Sequence, residues 1–157
     1  MNKSLKLLLL LVLIVTTLDV LRAADTPRTP GQGSAERLAI CDGARSFVMK
    51  EYVSATKLPQ PIVFKVTKMN VLGNYCFFEA TPLFKDGSSV GTEYIMDIVF
   101  EFCLERNDGK WRVVYDLSST DVPSDTQTKK MWNAFPKEFP FALIPEFWRE
   151  KFNRLKK

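Results

Sequence analysis

The chain contains no histidine. Ser-His-Asp and Cys-His nucleophile arrangements, and metal sites built on imidazole, are therefore excluded. No glycine-rich run has the spacing that cradles a phosphate. Cys41, Cys76 and Cys103 fit no zinc-ligand spacing. What remains is carboxylate and phenol chemistry, with Asp97, Glu101 and Asp116 as candidate carboxylates and Tyr94 or Tyr115 as candidate donor. A carboxylate walled by Phe rings has a raised pKa and can act as an acid or base. On an outer strand face the same carboxylates would instead pair with Arg112 or Lys65, or meet solvent.

The elements that position these groups centre on a β-hairpin over 93–117. Ile98, Phe100, Phe102 and Leu104 alternate along one arm; Trp111, Val113, Tyr115 and Leu117 alternate along the other. Successive strand side chains point to opposite faces, so each arm is read as one continuous apolar face. The second face is mixed: Ile95, Asp97, Val99, Glu101, Cys103 and Glu105 against Arg112, Val114 and Asp116. Gly109 supplies the positive φ for a three- to five-residue loop.

The apolar hairpin face needs a cover. Ser34 is a plausible N-cap for a helix running to about residue 54. Ile40, Cys41, Ala44, Phe47, Val48 and Tyr52 recur at helical spacing on one side of it. Gly43 weakens the helix by about 1 kcal/mol relative to Ala and allows another backbone to come close. Leu58-Pro59-Gln60-Pro61 ends it. Ile62, Phe64 and Val66 then alternate, but Met69 and Val71 follow on the opposite parity, which predicts a bulge near Lys68. A second strand covers 75–83, with Cys76, Phe78 and Ala80 on one face.

Residues 1–23 have the three-part pattern of a secretory leader. Lys3 and Lys6 lead a run of apolar residues from Leu7 to Leu18, broken by Thr16 and Thr17, and Ala23 stands at the expected cut. Removing them leaves 19 positive against 17 negative side chains, a mature charge of +2. So mild a balance predicts no nucleic-acid partner. A secreted or periplasmic location permits a disulfide, but the odd cysteine count favours no obligatory one. Residues 24–33 read as a linker, and a single domain over 34–117 follows. Residues 118–157 form an extension. Within it, Ser124 and Gln127 fit a capping box, Phe135 to Phe141 is broken by Pro136 and Pro140, and Pro145 opens a last helical stretch.

One long helix followed by about four curved antiparallel strands resembles the cystatin-like and nuclear-transport-factor-2-like α+β fold. The runs Gly73-Asn74-Tyr75-Cys76-Phe77-Phe78-Glu79-Ala80-Thr81-Pro82 and Gly109-Lys110-Trp111-Arg112-Val113-Val114 resemble strands of exported bacterial members. The Gln-x-Val-x-Gly loop of cysteine-protease inhibitors is missing, so that activity is not implied. The resemblance implies an apolar pocket between helix and sheet, lined by Phe64, Phe78, Phe100, Phe102 and Trp111. It implies a non-enzymatic module without cofactor or metal, binding a small apolar ligand or another protein. It also implies a homodimer through the open sheet face, with Ile95, Val99 and Val114. The alternative is a cofactor-free lyase or isomerase that uses Asp97, Glu101 or Asp116, with Tyr94 or Tyr115 as donor. Over 145–157, Phe147, Trp148, Phe152 and Leu155 stand beside Arg149, Lys151, Arg154, Lys156 and Lys157. This stretch either folds back with Trp132, Phe139 and Phe141 to cover a bare sheet edge or the mouth of the cone, or meets a membrane surface or an acidic partner.

Overall fold

The computed structural model describes residues 26–53, 58–92, 94–95, 99–118 and 122–155. The expected leader and Asp97 lie outside them. The fold is α+β. Helix α1 (Ala35–Glu51) precedes strands β1 (Ile62–Leu72), β2 (Tyr75–Phe84), β3 (Phe100–Asn107) and β4 (Lys110–Asp116). Helix α2 (Asp125–Ala134), a 3-10 turn (Phe141–Leu143) and helix α3 (Glu146–Arg154) follow. The strands form an antiparallel sheet in the order β1-β2-β3-β4, so β1 and β4 are its edges.

Ser34 caps α1 by accepting from the Arg37 N–H at 3.2 Å. The helix buries Ile40, Ala44 and Val48 against one face of the sheet. That face carries Ile62, Met69 and Val71 from β1, Cys76, Phe78 and Ala80 from β2, and Phe100, Phe102 and Leu104 from β3. The parity switch in β1 is a bulge: the register with β2 slips between Val66 and Lys68, which leaves Thr67 unpaired. The extra residue lets Phe64, Val66, Met69 and Val71 all face α1.

The hairpin differs from its sequence reading in two ways. Its loop has two residues, Asp108 (φ 50) and Gly109 (φ 74), both in the left-handed region. That is the conformation whose twist matches the two arms. The second arm also does not keep one face. Its register with β3 slips between Leu104, opposite Val113, and Cys103, opposite Tyr115. Val114 is the extra residue. Trp111 and Val113 therefore face α1, whereas Tyr115 and Leu117 face the other side of the sheet.

That other side is covered by the chain's own end. Phe77, Cys103 and Leu117 pack against Phe135, Phe139, Leu143, Ile144, Trp148 and Phe152. Ser124 and Gln127 form the capping box that starts α2, with the Ser124 N–H donating to Gln127 Oε1 at 2.8 Å. The face expected to be open for a homodimer is thus occupied. Ile95 is buried in the α1-side cluster, while Val99 and Val114 are exposed.

The segment 26–33, expected as a linker, touches the sheet at Val71. Arg28 and Val71 exchange backbone hydrogen bonds at 2.9 and 2.7 Å, which adds a bridge to the β1 edge. The Arg28 guanidinium forks onto Glu36 at 2.6 and 2.8 Å. Main-chain pairing and a bidentate ion pair order a segment that has almost no apolar side chains to bury.

Candidate functional site

Of the ring residues expected to line a pocket, Phe64, Phe78, Phe100 and Phe102 fill the space between α1 and the sheet, whereas Trp111 also lines a groove along β4. Phe78, Phe100 and Phe102 are each 0% exposed. Phe100 and Phe102 stack at 5.1 Å, Phe64 meets Phe78 edge-on at 5.3 Å, and Phe47 of α1 meets Phe102 at 5.3 Å. Tyr52 closes the row against Phe100 at 4.9 Å. Trp111 is buried at the β4 end, with the Arg106 guanidinium 5.6 Å from its ring. These contacts are the edge-to-face and offset geometries that aromatic quadrupoles favour.

Among the described residues, Glu101, Tyr115 and Asp116 are not brought together. The bulge at Val114 turns Asp116 to the α1 side, where its Oδ2 accepts from the Tyr52 hydroxyl. Its Oδ1 accepts from the Ser118 N–H at 2.8 Å. Tyr115 is on the opposite face and donates to the Met131 carbonyl at 2.8 Å. Tyr94 packs edge-on against Phe84 at 5.9 Å. Burial, and then the Asp116 carboxylate, push the Tyr52 phenol above its usual value, so it stays a proton-holding donor. Strand parity alone puts Asp116 on the face away from α1, so no sequence signal pairs it with Tyr52; the bulge does.

Glu101 serves the C-terminal layer. Its Oε2 accepts from the Trp148 indole N–H at 2.8 Å, and its backbone N–H donates to Ser118 Oγ at 2.9 Å. Burial raises the Glu101 carboxyl above its usual range, and the Trp148 hydrogen bond partly offsets this. The three thiols are unpaired. Cys76 and Cys103 are buried on opposite faces of the sheet, and burial raises both thiols.

One recessed surface lies along the outer edge of β4. Gly43 brings α1 onto this edge. A Cβ built on Gly43 would sit 2.4 Å from the Trp111 carbonyl oxygen, a contact that only glycine permits. Beyond that contact the two elements diverge and leave a groove of about 320 Å³. Ser46, Phe47 and Lys50 form its helix wall; Lys110, Trp111, Arg112 and Val113 form its strand wall. A continuation of about 270 Å³ runs past Gly43 toward Ala39, Asp42 and Gly109. The backbone of β4 is turned toward this groove. The Arg106 N–H bonds Asn74 on the β2 side at 2.7 Å, so its opposite number, Trp111, is not hydrogen-bonded to β3. Alternation then turns the N–H and C=O of Val113 outward as well.

Most groove residues escaped the sequence reading. The available signal was a second helix stripe of small and polar residues, Gly43, Ser46 and Lys50, beside the apolar one. Lys110 and Arg112 repeat at strand spacing, but only knowledge that β4 is an edge gives them meaning.

Among the described residues, no group of three or more His, Cys, Asp or Glu side chains could hold a metal ion, and no helix is long and apolar enough to cross a membrane. Comparisons with protein-family models, curated proteins and solved structures found no match.

Proposed function

We propose that the chain is an exported, non-enzymatic protein-interaction module of the cystatin-like or nuclear-transport-factor-2-like kind, recognising its partner through the α1–β4 groove. The helix-first order and the four-strand meander support the fold assignment. The Lys3, Lys6 and Leu7–Leu18 pattern supports export. The observation that carries the interaction reading is the filled interior: Phe78, Phe100 and Phe102 have no exposed surface to offer a small ligand. Recognition is left to the outside of the molecule. For the lyase or isomerase alternative, Asp116 is already accepting from the Tyr52 hydroxyl and the Ser118 N–H, and Asp97 lies outside the described residues.

A photoreactive benzoylphenylalanine placed at Ser46, and at exposed Thr126 as control, tests the reading in the source cells. The expected result is one defined protein cross-linked from Ser46 and not from Thr126. In parallel, the purified protein should show no saturable uptake of an apolar anilinonaphthalene dye. Dye uptake without an adduct would move the function to ligand binding and overturn the proposal.

A further inference from the structure

We infer that the occupant of the α1–β4 groove is an extended acidic peptide segment, carboxylates and apolar side chains alternating, laid along the edge of β4. This rests on the interaction reading and specifies its partner. Three features of the groove lead to it.

The first is charge. The principal section carries three cations, Lys50, Lys110 and Arg112, and no carboxylate among its lining residues. Lys50 contacts Glu51 at 2.6 Å, but the pair is exposed, 79% on the Lys50 side, and such pairs hold a lysine weakly. In the continuation Asp42 is present, but it is ion-paired with Arg45.

The second is the backbone. A strand edge with outward N–H and C=O groups is a template for an added extended segment. The N-terminal segment covers part of the β1 edge at Val71. On β4, among the described residues, Gly43 packs on the Trp111 carbonyl. Val113 is the next residue whose main chain faces out, so pairing is expected there.

The third is side-chain parity. Lys110 and Arg112 are exposed, whereas Trp111 and Val113 turn toward α1 and Phe47. A segment paired beside them repeats that alternation. Its residues next to Lys110 and Arg112 are acidic, and those next to Val113 and Phe47 are apolar and small enough to fit under the helix.

The probe is a dye-labelled nine-residue peptide alternating Glu and Val, followed by fluorescence anisotropy with the full mature chain. Binding is expected to weaken as salt rises. It should weaken about tenfold or more when Gln replaces Glu in the peptide. The double variant Lys110→Glu/Arg112→Glu should lose binding while its melting temperature is kept. Val113→Pro removes the outward N–H, which an edge strand tolerates, and should lower affinity for the acidic peptide at unchanged helix and strand content. Equal affinity for the Glu and Gln peptides overturns the inference, as does unchanged affinity in the double variant. Binding to phosphatidylglycerol vesicles but not to the peptide also overturns it and reassigns the surface to a membrane. Failure of the acidic peptide together with a retained Ser46 adduct removes the acidic segment and leaves the interaction module standing. Failure of both removes both.

Discussion

Glu101 links a strand of the sheet to the last helix through one hydrogen bond, and that bond has a pH signature. Burial favours its protonated form in the folded protein, so the folded-state pKa is above the usual 4.5. The folded chain then binds more protons than the unfolded chain between those two values, and stability falls as pH rises through that window. The contribution is fully present below about 4.5 and is lost above the folded-state value. Glu101→Gln keeps an oxygen to accept from Trp148 Nε1 and cannot ionise. Its urea midpoint should be flat where the parent's declines, and equal to or higher than the parent's at neutral pH. A parent midpoint that rises through the same window would contradict the assignment. Tyr52→Phe tests the other buried contact: with the donor gone, Asp116 Oδ2 loses its partner, at a cost of about 1–3 kcal/mol, read from the shift in chemical denaturation. The carboxylate–phenol chemistry was legible as a list of residue types. Its pairing was not, because it depends on a register that one extra residue changes.

At the level of elements, the two edge strands show what a hydrophobic pattern reveals and what it hides. In β1 the bulge at Thr67 was visible beforehand, because only one face of that strand is apolar and Ile62, Phe64 and Val66 change parity at Met69 and Val71. In β4 the bulge at Val114 was invisible. Trp111, Val113, Tyr115 and Leu117 keep one parity in sequence, yet the first two reach the α1 cluster and the last two the C-terminal cluster. The apolar residues leave one cluster and enter the other at the bulge, so their sequence spacing is the same as that of a straight strand with one apolar face. The α1 helix, its Ser34 cap and the Ser124–Gln127 box were legible because each rests on local spacing. The close approach at Gly43 was also readable, though not its target. Gly43→Ala gains about 1 kcal/mol of helix propensity but forces a Cβ to within 2.4 Å of the Trp111 oxygen. Overpacking of this kind costs about 1–3 kcal/mol, so a net loss of stability is expected in a urea titration. A stabilised variant would mean that α1 does not rest on β4.

Across the whole molecule, one sheet separates two hydrophobic clusters, and neither cover is optional. Cys76 and Phe77 are neighbours in β2, yet Cys76 belongs to the α1 cluster and Phe77 to the C-terminal one. The same strand therefore cannot lose one layer and keep the other intact. Trp148 and Phe152 are buried in the second cluster at 1% and 0% exposure. Truncating a side chain of that size in a core costs about 3–5 kcal/mol, a large part of the roughly 5–15 kcal/mol that holds a domain folded. Deleting residues 145–157 should accordingly unfold the sheet as a unit instead of stripping one layer from it. The buried thiols report this directly, since burial keeps them protonated and unreactive in the native chain. In the parent, Ellman's reagent should leave Cys76 and Cys103 unmodified. In the truncated chain both should react at the same rate. Trp148→Phe, which keeps one aromatic ring but loses the indole N–H and leaves a small cavity, should lower stability yet still protect both thiols. Reaction of Cys103 alone, with Cys76 still protected beneath α1, would show that the two layers are held independently and that the C-terminal segment is a detachable cover.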